Sequence, residues 1–194
     1  FTAMSGTLLL MPFYLQQVLG YSTQQAGLLL GVTPVVMGIL APFAGVLSDR
    51  LGRGVITRTG LALLCIGLLS VTTLGEETST AGYLARFALV GLGVGLFQSP
   101  NNSAIMGHAP RDRLGVASGL LAVARTLGQV TGVGLLGAIW GWRVAVRAGG
   151  AVEGGATRAA PALQVSALND ACRAGLVLVV AAFFLHWRLK RQRT

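Results

Sequence analysis

Six stretches of mostly apolar residues, each about as long as a membrane-spanning helix, occupy most of this chain. A helix needs about 20 such residues to cross the roughly 30 Å hydrocarbon core of a bilayer. The six predicted helices cover residues 1–19, 24–48, 55–75, 81–107, 115–142 and 171–188. Charged residues make up only 11% of the 194 residues, against about 25% in a typical soluble domain. The sequence therefore predicts an all-α integral membrane protein with six transmembrane helices.

The basic residues are unevenly divided between the two sides that six crossings would create. Nine fall in one set of loops and the tail, at Arg50, Arg53, Arg58, Arg111, Arg113, Arg188, Lys190, Arg191 and Arg193. Five lie on the opposite side, at Arg86, Arg143, Arg147, Arg158 and Arg173. Because Lys and Arg in short loops resist translocation, the larger set is predicted to be cytoplasmic, with both termini inside. Residues 143–170 then form an extracytoplasmic linker, and Arg86 and Arg173 would have to snorkel from helix ends.

Several other functional classes are disfavoured by the residues present. The net charge of +9 lies mostly in short loops and the tail, and no soluble basic face with groove-reading elements accompanies it, so nucleic-acid binding is not predicted. Cys65 and Cys172 have neither metal-ligand spacing nor a disulfide framework. The topology brings neither His108 nor His186 within reach of Ser118, so no enzyme is predicted and no cofactor is implied.

A charged hairpin, Gly45-Val-Leu-Ser-Asp49-Arg50-Leu-Gly52-Arg53-Gly54, joins predicted helices two and three. One acid and two arginines in a tight turn would lie in the cytoplasmic headgroup layer. Asp49 can pair with Arg50 or Arg53, or with a neighbouring helix N-terminus, and such modest contacts can exchange during a motion. Two interpretations stay open, a cytoplasmic gate and a simple topology signal.

This hairpin resembles the G-x-x-x-D-R-x-G-R loop of major facilitator superfamily transporters, although Gly54 replaces a residue that is usually basic there. The runs from Gly91 to Asn102 and from Gly115 to Gly128 resemble the C-terminal half of the drug:proton antiporter branch, particularly its fourteen-helix type. The similarity covers nearly the whole chain and is weakest in residues 143–170. It implies a C-terminal six-helix bundle, with the N-terminal half of the same transporter as its partner, in a bacterial inner membrane. It also implies that the Asp49 hairpin latches helix ends.

The resemblance further implies proton-coupled efflux of small organic, amphipathic compounds by alternating access. No Asp or Glu lies inside any of the six predicted helices, so the titratable group that proton coupling needs would belong to the N-terminal half. A carrier for uptake or export of a metabolite is an alternative. A non-transporting membrane remnant or sensor is another.

Arg125 is predicted near mid-membrane, about ten residues into the fifth helix, with Gln129 one turn further on the same face. An arginine at that depth costs at least about 2.5–3.5 kcal/mol on insertion scales, so it should face protein or a water-filled cavity. Either it lines the translocation path or pairs with a carboxylate from the other half, or it holds its helix to neighbouring carbonyls.

Gln98, Asn101 and Asn102 are spaced to place their amides on one face of the fourth helix, beside Pro100. We expect at least one amide to face the path, although interhelical hydrogen bonding is the alternative. In the fifth helix, Gly115 and Gly119, and Gly128 and Gly132, are spaced for close helix packing in lipid.

Overall fold

The computed structural model describes the backbone of residues 1–191 and the side chains of residues 1–185. The described chain is helical, with no strand. Its helices are α1 (Thr2–Phe13), α2 (Thr23–Leu30), α3 (Val32–Leu51), α4 (Arg53–Val71), α5 (Thr80–His108), α6 (Leu114–Ala148) and α7 (Pro161–Arg191). A π-helical turn, Tyr14–Val18, extends α1, and short 3-10 turns cover Arg111–Arg113 and Ala156–Arg158.

Five helices of the described chain are long and apolar enough to cross a membrane: Thr23–Leu51, Arg53–Val71, Thr80–His108, Arg111–Ala148 and Pro161–Leu185. The first of them joins α2 and α3 across Gly31. The predicted helix at residues 1–19 corresponds to α1 with its π-helical turn. The prediction of an all-α membrane bundle is confirmed, and the sixth crossing stays a prediction.

The predicted linker at residues 143–170 is much too long. Helix α6 continues to Ala148, and α7 begins at Pro161 rather than at residue 171. The first turns of α7 mix polar and apolar residues, and Val165, Ala167 and Leu168 are buried in the core. The Gln164 side chain holds the preceding segment, since it donates to the Thr157 and Ala159 carbonyls at 3.1 and 2.8 Å. One consequence is that Asp170 lies inside α7. The prediction that no acid falls within a helix was therefore wrong.

Six of the helices pack as two groups of three, and each group contains a helix from the other half of the chain. Helices α3 and α4 pack on α5, and α1 and α7 pack on α6, while α4 and α7 join the groups. Taken in chain order, the second long helix (α2–α3) packs on the fourth (α5), and the fifth (α6) packs on the first (α1). This exchange is the contact pattern that an inverted repeat produces.

The connections lie at two ends of the bundle. The turn at Gly52 and the segment 109–113 form one end, here called the hairpin end. The segments 19–22, 72–79 and 149–160 form the other, here called the linker end. Tyr14 donates to the Gly75 carbonyl at 2.7 Å and Asn169 donates to the Leu74 carbonyl at 3.1 Å, which ties the end of α1 and helix α7 to the α4–α5 connection. Of the predicted cytoplasmic tail, Arg193 lies outside the described residues, as do the side chains of Arg188, Lys190 and Arg191.

Candidate functional site

An open groove of about 340 Å³ runs between α3 and α5. Helix α3 contributes an apolar wall, and α5 contributes all of the polar side chains. The lining residues are Met37, Ala41, Gly95, Gln98, Ser99, Asn102 and Ser103. None of these seven residues is ionisable, so the groove offers hydrogen bonds and apolar contact but no charge.

The polar wall follows from the spacing of residues along α5. Gly95, Gln98, Ser99, Asn102 and Ser103 occupy positions i, i+3, i+4, i+7 and i+8, which places them on one face of a helix. The two helices touch at Gly95, where an added Cβ would lie 3.5 Å from the Cα of Met37. The groove opens beyond that contact, toward the hairpin end.

Asn102 provides an unused acceptor in this wall. Its Oδ1 atom is shielded from solvent and has no hydrogen-bond partner among the described residues. A shielded polar atom without a partner carries a desolvation cost of about 1–3 kcal/mol, so a ligand that donates to it is favoured. Of the three amide residues predicted to share one face, Gln98 and Asn102 line the groove and Asn101 does not.

Ser99 and Ser103 also line the groove, and the sequence interpretation did not select them. Their signal is the four-residue spacing from each other and the position next to Gln98 and Asn102. Serine is a weak indicator in a membrane helix because its hydroxyl often bonds its own helix backbone. The amides alone were therefore chosen from the sequence.

Arg125 and Gln129 lie apart from this groove, on α6 beside α1. The Nε atom of Arg125 is shielded and has no hydrogen-bond partner in the described part of the chain, and its guanidinium carbon lies 5.2 Å from the centre of the Phe1 ring. The Gln129 carbonyl accepts a hydrogen bond from Ser5 Oγ at 3.0 Å, while its side chain is exposed. The structure thus divides the predicted path residues between two faces.

The turn of the charged hairpin consists of a single glycine. Gly52 alone separates α3 from α4 and has φ +88°, a conformation that side chains disfavour. Arg53 reaches the end of α5, where its Nη1 atom lies 3.3 Å from the position that a Cβ on Gly107 would occupy. Asp49 and Arg50 are exposed, and no ion pair within 4 Å joins Asp49 to Arg50 or Arg53 in the described chain. Gly45 has open space around it.

The four glycines predicted to pack α6 divide into two pairs. A Cβ on Gly128 or Gly132 would meet atoms of Phe1, Thr2 or Ser5 in α1 and its start, whereas Gly115 and Gly119 have no such atom within 4 Å. The first half of α6 is uncovered because α1 meets only its later turns. Gly60 and Gly93, which the sequence interpretation did not select, instead bring the backbones of α4 and α5 into direct contact.

Asp170 gathers three arginines at the linker end. Its Oδ2 atom lies 2.6 Å from Nη2 of Arg147 and 3.2 Å from Nε of Arg143, and its Oδ1 atom lies 3.3 Å from Nη1 of Arg173. We call these four residues the linker-end cluster. Two spacings in the sequence could have indicated this cluster: four residues from Arg143 to Arg147, and three from Asp170 to Arg173. They were not used because residues 143–170 were assigned to a linker.

Two arginines that were predicted to snorkel also have protein partners. Arg173 bonds Asp170, and Arg86 donates to the Ser70 and Gly82 carbonyls at 3.0 and 2.9 Å. The Ser70 carbonyl in the last turn of α4 also accepts from the N–H and the hydroxyl of Thr73, at 3.2 and 2.7 Å, so Arg86 adds a further donor at this helix end. Its charge stabilises the α4–α5 connection.

A family model and the relatives of known name both indicate the same family of proteins. Residues 1–133 match the family model of the Major Facilitator Superfamily. The chain is 42% identical over 136 residues, 70% of its length, to the uncharacterized transporter YebQ of Escherichia coli (strain K12), covering 30% of that protein.

Two further relatives carry more specific names. The riboflavin transporter RibZ of Clostridioides difficile (strain 630) is 34% identical over 63% of this chain and 27% of its own length. The multidrug resistance protein Stp of Mycobacterium tuberculosis (strain CDC 1551 / Oshkosh) is 34% identical over 72% of this chain and 26% of its own length. The matching part of the chain thus spans less than a third of each relative.

Proposed function

The chain belongs to the major facilitator superfamily, a family of transporters rather than enzymes, and we propose that it forms the C-terminal bundle of a proton-coupled exporter of small amphipathic compounds. Its partner is the N-terminal bundle of the same transporter, in a bacterial plasma membrane, with both ends of this segment cytoplasmic. The drug:proton antiporter branch of the fourteen-helix type is the proposed subgroup. The multidrug resistance name of one relative supports this choice.

The uncharged groove between α3 and α5 is the observation that carries the proposal. Amide and hydroxyl groups of Gln98, Ser99 and Asn102 both donate and accept, so they suit ligands of varied structure. Met37 on the facing wall is flexible and adapts to irregular apolar shapes. Such a wall fits the polar edge and apolar body of an amphipathic molecule, while any charge on that molecule requires compensation elsewhere.

Alternating access would rock this bundle against its partner about the groove. Helices α3 and α6 expose many large apolar side chains, among them Val35, Ile39, Phe43, Val116, Leu120 and Leu127. These faces are available to the N-terminal bundle and to lipid. We assign Arg125 and Gln129 to the path on α6, where Arg125 pairs with a carboxylate of the other bundle, and Gly115 and Gly119 to contacts with that bundle.

The Asp49 hairpin is the proposed cytoplasmic latch of this movement. Its carboxylate is exposed and free of Arg50 and Arg53 in the described chain, so it is available to a helix end or a basic residue of the other bundle. Protons would be carried by a carboxylate of the N-terminal bundle, since no residue that lines the groove is ionisable and Asp170 is not among the lining residues.

The test compares two neighbouring asparagines in the full natural polypeptide. Asn102→Ala removes a groove-lining amide, and Asn101→Ala is the matched control outside the groove. One hydrogen bond contributes roughly 0.5–1.5 kcal/mol, so Asn102→Ala is expected to raise the half-saturating drug concentration about two- to tenfold. Efflux is measured in proteoliposomes at matched protein content. Equal effects of the two substitutions would remove the groove from the substrate path.

A metabolite carrier is the second candidate, because the same groove suits a planar polar molecule and one relative is named a riboflavin transporter. Adding riboflavin to the same proteoliposomes separates the two. Transport of riboflavin without transport of amphipathic drugs favours the metabolite carrier. Transport of neither, across a broad set of compounds, favours a non-transporting membrane protein.

A further inference from the structure

The linker-end cluster holds more positive charge than its own carboxylate neutralises. Three guanidinium groups share Asp170, leaving a local charge of about +2 by counting the four groups. Arg143 and Arg147 lie four residues apart on α6, a spacing at which like charges destabilise a helix. Glu76, Glu77 and Glu153 lie in connections at the same end but form no ion pair within 4 Å with these arginines in the described chain. A second anion would therefore be favoured at this place.

The cluster is also preorganised and accessible. The Asp170 side chain is only 12% exposed, whereas those of Arg143, Arg147 and Arg173 are 41%, 32% and 65% exposed. Asp170 thus holds the arginines from within the bundle while their outer sides meet the surroundings. Each guanidinium has five N–H donors, and each contacts Asp170 closely through only one nitrogen, which leaves further donors for an outer ligand.

The position of Arg143 along α6 indicates that the linker-end cluster lies at a membrane surface. At 1.5 Å per residue, Arg143 lies about 44 Å along the helix from Leu114 at the hairpin end. A bilayer measures about 40–45 Å including both headgroup layers, so a helix that begins at one surface places Arg143 at the opposite one. The exposed Trp142 ring lies 5.2 Å from the Arg143 guanidinium carbon, and tryptophan beside a charge is typical of that interface.

We propose that Arg143, Arg147 and Arg173 bind the phosphate of an anionic phospholipid headgroup at the linker end, with Asp170 as the positioning residue. Arginine suits this ligand because its planar donors match phosphate oxygens in pairs. The same role explains why three of the five arginines that run against the predicted charge bias lie together. They form one lipid site, and Arg86 serves a separate structural purpose.

The experiment uses the purified full natural polypeptide in a neutral detergent, with phosphatidylglycerol or phosphatidylcholine added. The variant is Arg143→Gln with Arg173→Gln, which keeps the 2.6 Å contact between Arg147 and Asp170. The control, Arg111→Gln with Arg113→Gln, removes the same charge at the hairpin end. Melting temperature and lipid affinity are measured for all three proteins.

The wild type and the control are expected to be stabilised by phosphatidylglycerol more than by phosphatidylcholine. The cluster variant should bind phosphatidylglycerol about 25-fold more weakly, which is about fivefold for each arginine removed near a membrane surface. It should melt like the wild type in phosphatidylcholine, which shows that it folds. Equal losses in both double variants, or no loss in either, would overturn the site. Equal stabilisation of the wild type by inorganic phosphate at the same concentration would overturn its assignment to lipid.

Discussion

Gly93 determines how closely α4 and α5 approach. An added Cβ there would collide with the backbone of Leu64, so the substitution Gly93→Ala is expected to destabilise the protein by about 1–3 kcal/mol through overpacking. Gly134→Ala is the matched control because no atom lies within 4 Å of the corresponding position on α6. The control should be neutral or slightly stabilising, since alanine favours helices over glycine by about 1 kcal/mol. Unfolding of the purified full-length protein in detergent measures both, and equal stabilities would contradict the close contact.

Arg125 is the second residue whose role is open to a direct test. Its shielded Nε has no hydrogen-bond partner in the described part of the chain, which fits a side chain that pairs with an acid of the other bundle. Arg125→Ala is expected to abolish coupled efflux while leaving the amount of protein in the membrane unchanged. Transport by vesicles with matched protein content is the measurement. Undiminished efflux would exclude Arg125 from the mechanism.

The candidate site was predictable from sequence only in part, for reasons visible in individual residues. Gln98 and Asn102 were identified because amides are rare in an apolar helix and their spacing places them on one face. Whether Asn101 also lined a cavity depended on how α5 rotates against α3, which spacing alone does not determine. Asp170 was missed because the residues before it were assigned to a linker, whereas they form the first turns of α7.

Among the connecting elements, the turn between α3 and α4 depends on a single conformation. Gly52 has φ +88° with no atom near its missing Cβ, so Gly52→Ala costs only backbone strain, about 1–3 kcal/mol. Gly45→Ala in the same motif also has open space and lies inside α3, so it should be neutral or slightly stabilising. Thermal unfolding of the two variants is the check. A Gly45 variant as unstable as the Gly52 variant would show that the motif, and not the turn, is sensitive.

Helix centres were easier to predict than helix ends. Hydropathy located α4 and α5 to within a few residues of their observed bounds, because their ends coincide with changes in polarity. It failed at α7, which begins at Pro161, ten residues before the predicted start at residue 171. Proline is favoured at the first helical position, and Gln164 satisfies the carbonyls that precede the helix. The predicted helix therefore starts too late, whereas hydrogen bonds of Gln164 support the true start.

For the molecule as a whole, the family and the bundle followed from sequence, whereas the pairing of helices required the structure. Apolar windows and the Asp49 motif predicted a membrane bundle of the major facilitator type, and the family match confirms it. Helix α3 packs on α5 and helix α6 packs on α1, as an inverted repeat requires, yet the two halves of the chain show no clear residue repeat. Packing depends on volume and small residues rather than on residue identity. The uncovered faces of those helices lead to the proposal that a second bundle completes the transporter.

Drug-dependent proton flux in inverted membrane vesicles tests that proposal most directly. A pH gradient is established in vesicles that carry the full natural polypeptide, and an amphipathic drug is then added. The drug should collapse the gradient in these vesicles, and it should have no effect in vesicles that carry residues 1–194 alone. No collapse with any compound of a broad drug panel, at confirmed protein content, would contradict proton-coupled export by this transporter.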